Sequence, residues 1–241
     1  MLADAHDVEL IARGIRLFAH AQTQPRARRA TDVILLGLAA CGLLVVGLAA
    51  EPEPNYSIAL TALLVSLPDA LNGVWRIFAD IPLVWSVVVF VIALVRGRTS
   101  IARDMVLAVV TAVVIWLLLG RTVTGDWPSM VRGFDMSDPP SVFPAARIAI
   151  PGAAIIAASP HLVRPARRFG RWMLAFGSFA TLSLQLSPLF GVLAGMLCAA
   201  AAAAIVHLVV GSSAGRPSLD DVRYALADLG VPISGLGVAD R

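Results

Sequence analysis

The sequence predicts an all-α fold: a polytopic membrane bundle of six transmembrane helices with both termini cytoplasmic. Three features predict it. Hydrophobic residues make up 58% of the 241 residues and charged residues 15%, against about 45–50% and about 25% in ordinary soluble domains. The mean hydropathy is +0.81. The basic residues, finally, collect in alternate gaps between apolar runs. So much apolar surface has no place in one water-soluble core of this size. The composition therefore excludes a soluble enzyme, a disordered tail and a nucleic-acid module.

A hydrocarbon core of about 30 Å needs about 17–25 apolar helical residues. Six stretches meet this: 31–50, 79–95, 101–119, 146–162, 172–189 and 190–210. The fourth is short and holds Pro151; packed neighbours can re-satisfy the backbone at such a kink. The region 57–78 is the main threat to the count. Its apolar part, 58–67, is followed by Pro68, Asp69, Asn72 and Arg76. About ten residues are too few to span, so this part reads as interfacial or re-entrant.

All nineteen basic residues are Arg, which suits a GC-rich bacterial genome. Fifteen of them fall on one side of a six-span topology: Arg13, Arg16, Arg26, Arg28, Arg29, Arg96, Arg98, Arg103, Arg164, Arg167, Arg168, Arg171, Arg216, Arg223 and Arg241. Arg76, Arg121, Arg132 and Arg147 fall on the other. The positive-inside rule then puts both termini in the cytoplasm and the chain in the inner (plasma) membrane.

Before the first span, residues 1–30 form a cytoplasmic amphipathic segment. Val8, Ile11, Ile15 and Phe18 recur at helical spacing beside Arg13 and Arg16. Such a segment lies on the anionic inner surface or packs on the bundle. The membrane domain covers 31–211, and 212–241 is a cytoplasmic tail. In that tail Ser218 caps a short helix whose stripe is Val222, Leu226 and Leu229, stopped by Gly230 and Pro232. Cys41 and Cys198 each sit within an apolar run and read as packed or lipid-facing hydrophobes, not as a disulfide. The sequence carries no zinc pattern, P-loop or dinucleotide fingerprint, so no cofactor is expected.

Gly191 and Gly195 form a GxxxG pattern extended by Ala199 and Ala203. Small residues four apart let helices approach closely. The pattern reads as a packing face within the bundle, with a homodimer seam as the alternative.

Six spans with the N-terminus inside bring three segments to the outer face: 120–128, 143–147 and 182–195. This layout resembles the type-2 phosphatidic acid phosphatase family, over about residues 31–210. Members carry K-x-x-x-x-x-x-R-P, P-S-G-H and S-R-x-x-x-x-x-H-x-x-x-D. The resemblance implies a cationic clamp on a phosphate, a His nucleophile, a His acid and an Asp that orients the nucleophile. Here Gly120 stands for the Lys and Trp127 for the Arg, with only Pro128 kept. The second motif reads Pro144-Ala145-Ala146-Arg147, and Arg cannot give up a proton. The third motif lays down in two registers, Leu184-Phe190-Ala194 or Thr181-Ser187-Gly191. Neither holds His or Asp.

The four His are His6, His20, His161 and His207, all predicted near the cytoplasmic side. The resemblance therefore implies a catalytically degenerate, non-enzymatic scaffold for lipid handling or assembly, with membrane lipids as partners. Its outer vestibule is expected to bind an anionic headgroup through Arg121 and Arg147, with Asp126 and Asp135 as counter-ions. The tail 211–231 is similar to the exit from the first membrane region of large bacterial proteins with kinase-like and flippase or lysyl-phosphatidylglycerol synthase-type domains. That implies a kinase-like or flippase-like partner module. Two alternatives stand. One is an active lipid or polyprenyl phosphatase using Asp126, Asp135 or Asp138 with Ser141 or Ser183. The other is a transporter or flippase component, for which Thr181, Ser183 and Gln185 are the best polar cluster. Those hydroxyls are expected to bond between helices.

Overall fold

The computed structural model describes residues 17–18, 28–50, 54–65, 71–136, 143–211 and 226. Among them the chain forms eight α-helices and no strand. Most of the amphipathic N-terminal segment, the capped tail helix, His6, His20, Asp138 and Ser141 lie outside the described residues.

α1 (Ala30–Ala49) has twenty residues, about 30 Å at 1.5 Å per residue, which matches the hydrocarbon thickness. α2 (Asn55–Val65) follows Pro54 and is an apolar helix of eleven residues, about half that length. It packs against the later helices, with the Tyr56 ring edge-on to Phe190 at 6.1 Å. α3 (Asn72–Val95) and α4 (Thr99–Thr124) have 24 and 26 residues. Each is longer than the apolar run that predicted it. α3 continues outward through Arg76 to Asn72, and α4 continues through Arg121 until Gly125, whose φ of 79° ends it. Polar residues at a membrane surface end the hydropathy signal before they end the helix. A five-residue turn of helix, α5 (Met130–Phe134), comes next.

α6 (Ala146–Ala158) has thirteen residues, eleven of them buried. It runs on into a 3-10 turn, Ser159–His161. α7 (Arg164–Ser183) departs from the predicted 172–189. Pro165 in its first turn sets its start at the arginines. At the other end Gln185 adopts φ 54° and the Leu186 N–H donates to the Thr181 carbonyl at 3.0 Å. This is a left-handed helix stop, so the stretch before Pro188 is a turn and not the last turn of a span. α8 (Leu189–Val210) matches its prediction within one residue.

α6 is the centre. α3, α4, α7 and α8 surround it, and α1 packs outside α8. Gly42 of α1 lets the Leu197 side chain sit 3.0 Å from where a Cβ would be. The contacts fix helix directions. Asp32 at the start of α1 meets His207 at the end of α8, whereas Gly47 at the end of α1 meets Val123 at the end of α4. Asp80 near the start of α3 meets Arg147 at the start of α6. Six helices, α1, α3, α4, α6, α7 and α8, thus run alternately between two ends. Among the described residues, one end carries Arg28, Arg29, Arg96, Arg98, Arg103, Arg164, Arg167, Arg168 and Arg171, and the other Arg76, Arg121, Arg132 and Arg147.

Four of the six, α1, α3, α4 and α8, are long and apolar enough to cross a membrane. α6 is too short by itself, and α7 carries four arginines in its first two turns. The outward faces of α1, α3 and α4 are apolar, with Leu38, Leu48, Val84, Val95 and Val114 exposed. In water such a surface is a liability; facing hydrocarbon it is the expected one. Cys41 is exposed and Cys198 buried, both as free thiols.

Candidate functional site

At the Arg-poor end, two of the three segments named by the sequence, 143–147 and 182–195, meet at the start of α6 beside Trp116 of α4. The Trp116 indole N–H donates to the Pro144 carbonyl at 2.7 Å, joining α4 to the loop before α6. The Ala145 N–H donates to the Gly191 carbonyl at 2.9 Å, joining that loop to α8. Gly195, one turn on, lies so close that a Cβ there would stand 2.7 Å from the Ala145 carbonyl oxygen. Ala199, a further turn on, packs on Gly152 of α6, where a Cβ would lie 2.9 Å from the Ala199 Cβ. Gly195 and Ala199 therefore face α6 inside the chain, and Gly191 meets the residue that precedes it.

The residues expected to stand at the motif positions hold other contacts. Gly120 sits under the Pro128 ring; a Cβ at Gly120 would be 2.6 Å from the proline Cγ. A Lys in that place would have to displace the ring. Trp127 is 62% exposed, and the Arg121 guanidinium lies 5.9 Å from its ring centroid, within cation–π range. Asp126 is exposed, and its backbone N–H donates to the Thr124 hydroxyl at 3.4 Å.

Arg147 is different. Its side chain is only 4% exposed, and it forms an ion pair with Asp80 of α3, which is 50% exposed. Its other terminal nitrogen donates to the Phe134 carbonyl, and its guanidinium carbon lies 5.7 Å from the Phe134 ring centroid. Gly133 makes this closeness possible, because a Cβ there would stand 2.8 Å from the Ala146 Cβ. The structure thus separates the three predicted headgroup residues. Arg121 and Asp126 lie on the exposed rim, while Arg147 is built into the wall with α3 and α5. Asp80 was not legible as its partner, although a carboxylate one residue inside an apolar run is itself a signal.

In the third segment, Thr181 donates to the Gly177 carbonyl at 2.8 Å, Ser183 to Phe179 at 3.1 Å and Ser178 to Leu174 at 2.8 Å. The expected bonds between helices are instead bonds within α7, each to the carbonyl four residues back. Small residues are what join α7 to α3. A Cβ on Gly177 would lie 2.4 Å from Pro82 Cγ, and one on Gly170 3.0 Å from the Trp85 indole nitrogen. Aromatic rings cover this seam, including Trp75 on Phe179 at 5.1 Å and Trp85 on Phe169 at 4.8 Å.

The described histidines lie at the Arg-rich end. His161 is buried beside Leu162, which bridges to Phe18. His207 places Nδ1 3.7 Å from an Asp32 oxygen and Nε2 3.2 Å from the Ala157 carbonyl oxygen. Phe18 is buried there, with Arg98 stacked 4.8 Å over its ring. Burial, and then neighbouring Arg96, lower the Arg98 pKa from its ordinary value. Among the described residues, no three His, Cys, Asp or Glu gather to hold a metal ion. No family model, curated protein or solved structure matches the chain.

Proposed function

We propose that the chain is a six-pass inner-membrane protein with a degenerate phosphatidic acid phosphatase-like fold. It serves as a lipid-handling or assembly module and performs no phosphoryl transfer. In this reading α6 and α7 cross the membrane with the four apolar helices, and the Arg-rich end lies in the cytoplasm. α6 tolerates thirteen residues because protein surrounds it, and α7 tolerates its arginines because they stand at the interface.

The observation that carries the reading is the ion pair of Arg147 with Asp80. At the position of the family's acid histidine stands a guanidinium bound to a carboxylate and a backbone carbonyl. Phosphoryl transfer to a side chain needs an oriented nucleophile and a free cationic clamp. The buried cation here is already neutralised, and His161 and His207 belong to the opposite end. Arg121, stacked on Trp127 at the rim, remains the residue for a lipid headgroup, and the tail is the surface for a kinase-like or flippase-like partner.

The test is phosphate release by the purified, reconstituted chain from phosphatidic acid and from undecaprenyl diphosphate. The expected result is release equal to protein-free vesicles. Turnover abolished by Asp126→Asn or Asp135→Asn would establish the phosphatase alternative.

A further inference from the structure

α3 and α4 are joined by a tight turn, Arg96-Gly97-Arg98, with Gly97 at φ 66°. Below that turn the two helices stand apart and leave an apolar groove of about 290 Å³. Leu83 and Phe90 of α3 form one wall, Val106 and Val110 of α4 the other, and Pro151 of α6 the floor. Ser86 also lines it, but its hydroxyl donates to the Leu83 carbonyl at 2.8 Å, so it offers no hydrogen to an occupant. The groove opens outward between Val87, Val106 and Val110, all exposed. It is therefore continuous with the surface that α3 and α4 turn to hydrocarbon.

Its depth and its mouth both select an occupant. Counted from Thr99, Val106 and Val110 lie about 10–17 Å along α4. That is the depth of one leaflet's acyl chains, about half of a 30 Å core. Arg103 lies three residues before Val106 and seven before Val110, on the same helical face. Its side chain is 56% exposed, while the Asp104 carboxylate it touches at 3.2 Å is 3% exposed and turned inward. With Arg96 and Arg98 the hairpin end carries three arginines against one aspartate.

We propose that this groove holds one acyl chain of an anionic phospholipid from the leaflet at the Arg-rich end, its headgroup on Arg103 and Arg96. The site rests on α3 and α4 crossing the membrane and is independent of the outer-end chemistry.

Native mass spectrometry of the purified full-length chain tests it, with phosphatidylglycerol and phosphatidylcholine supplied in equal amounts. One phosphatidylglycerol is expected to stay bound, preferred about fivefold over phosphatidylcholine. Val110→Trp, and Val87→Trp from the opposite wall, fill the groove from exposed positions and are expected to remove the adduct with melting temperature unchanged. Arg103→Gln is expected to keep a lipid but lose the preference. Equal retention of the two lipids by the native chain overturns the proposal, as does an undiminished adduct in either folded tryptophan variant. A chain that carbonate washes off membranes overturns the membrane reading and the groove with it; an embedded chain without adducts overturns the groove alone.

Discussion

Arg147 and Asp80 stand 67 residues apart in the chain and form an ion pair between the centre of the bundle and α3. The guanidinium is buried, whereas the carboxylate is half exposed and reaches solvent at the Arg-poor end. Breaking such a pair from one side leaves a charge in the wall without its partner. Asp80→Leu alone is expected to cost roughly 2–4 kcal/mol, toward the lower end for buried pairs because Asp80 keeps some water. Asp80→Leu with Arg147→Met is expected to recover more than half of the lost melting temperature. A double variant no better than the single one would show that the pair does not act as a unit.

The proposed phosphatase-like reading also makes a restoration testable. Gly120→Lys, Trp127→Arg and Arg147→His together rebuild part of the motif letters. The Pro128 ring, 2.6 Å from a Cβ at Gly120, and an Asp80 left without its cation oppose the fold. The triple variant is expected to melt lower than the native chain and to release no phosphate from phosphatidic acid. Release above background would show that the scaffold keeps a working clamp.

The tight glycines separate from the loose ones. Gly195→Ala meets a backbone oxygen at 2.7 Å and Gly177→Ala meets the rigid Pro82 ring at 2.4 Å. Each is expected to cost about 1–3 kcal/mol through overpacking. Gly37 of α1 has nothing within 4 Å of its Cβ position, so Gly37→Ala is expected to be neutral or stabilising by up to about 1 kcal/mol. Thermal melting of the three variants in one detergent compares them directly. Gly195 variants that melt normally but lose a dimer on cross-linking would instead assign the GxxxG pattern to a seam between copies.

α1 and α8 meet at the Arg-rich end at Asp32 and His207, 3.7 Å apart, an ion pair when the histidine is protonated. Asp32→Ala and His207→Ala are expected to be less than additive, with a coupling of about 0.5–1 kcal/mol. A double-mutant cycle on melting or on protease cleavage near residue 30 reads this. Additive losses would mean that each side chain contributes only through its own packing.

Much of the bundle was legible because long apolar runs set helices of membrane-spanning length and the arginines fall in alternate gaps between them. α1 and α8 fall where apolar runs predict them, and the arginines sort to two ends. Where the sequence misled, polar residues had a local reason to be helical. The arginines of α7 ended the apolar signal at Trp172, yet Pro165 starts the helix at Arg164. Asn72 to Phe78 falls outside the span predicted from residue 79 but extends α3, because Trp75 and Phe78 pack on the rings of α7. At the candidate site, the meeting of 143–147 with 182–195 follows from span parity. The pairing of Arg147 with Asp80 was not, since nothing in spacing alone brings α3 to the start of α6. The α3–α7 glycine seam escaped for a similar reason: Gly170 and Gly177 are seven apart rather than four.

Which end of the bundle faces out decides the proposed function. Single cysteines introduced as Asp126→Cys and Thr99→Cys, with Cys41 and Cys198 replaced by Ala, report on the two ends through a membrane-impermeant maleimide applied to intact cells. Labelling is expected at position 126, with protection at 99 until the cells are permeabilised. Labelling at 99 with protection at 126 would contradict the proposed function, for it would turn the arginine-bearing surface and both described histidines outward.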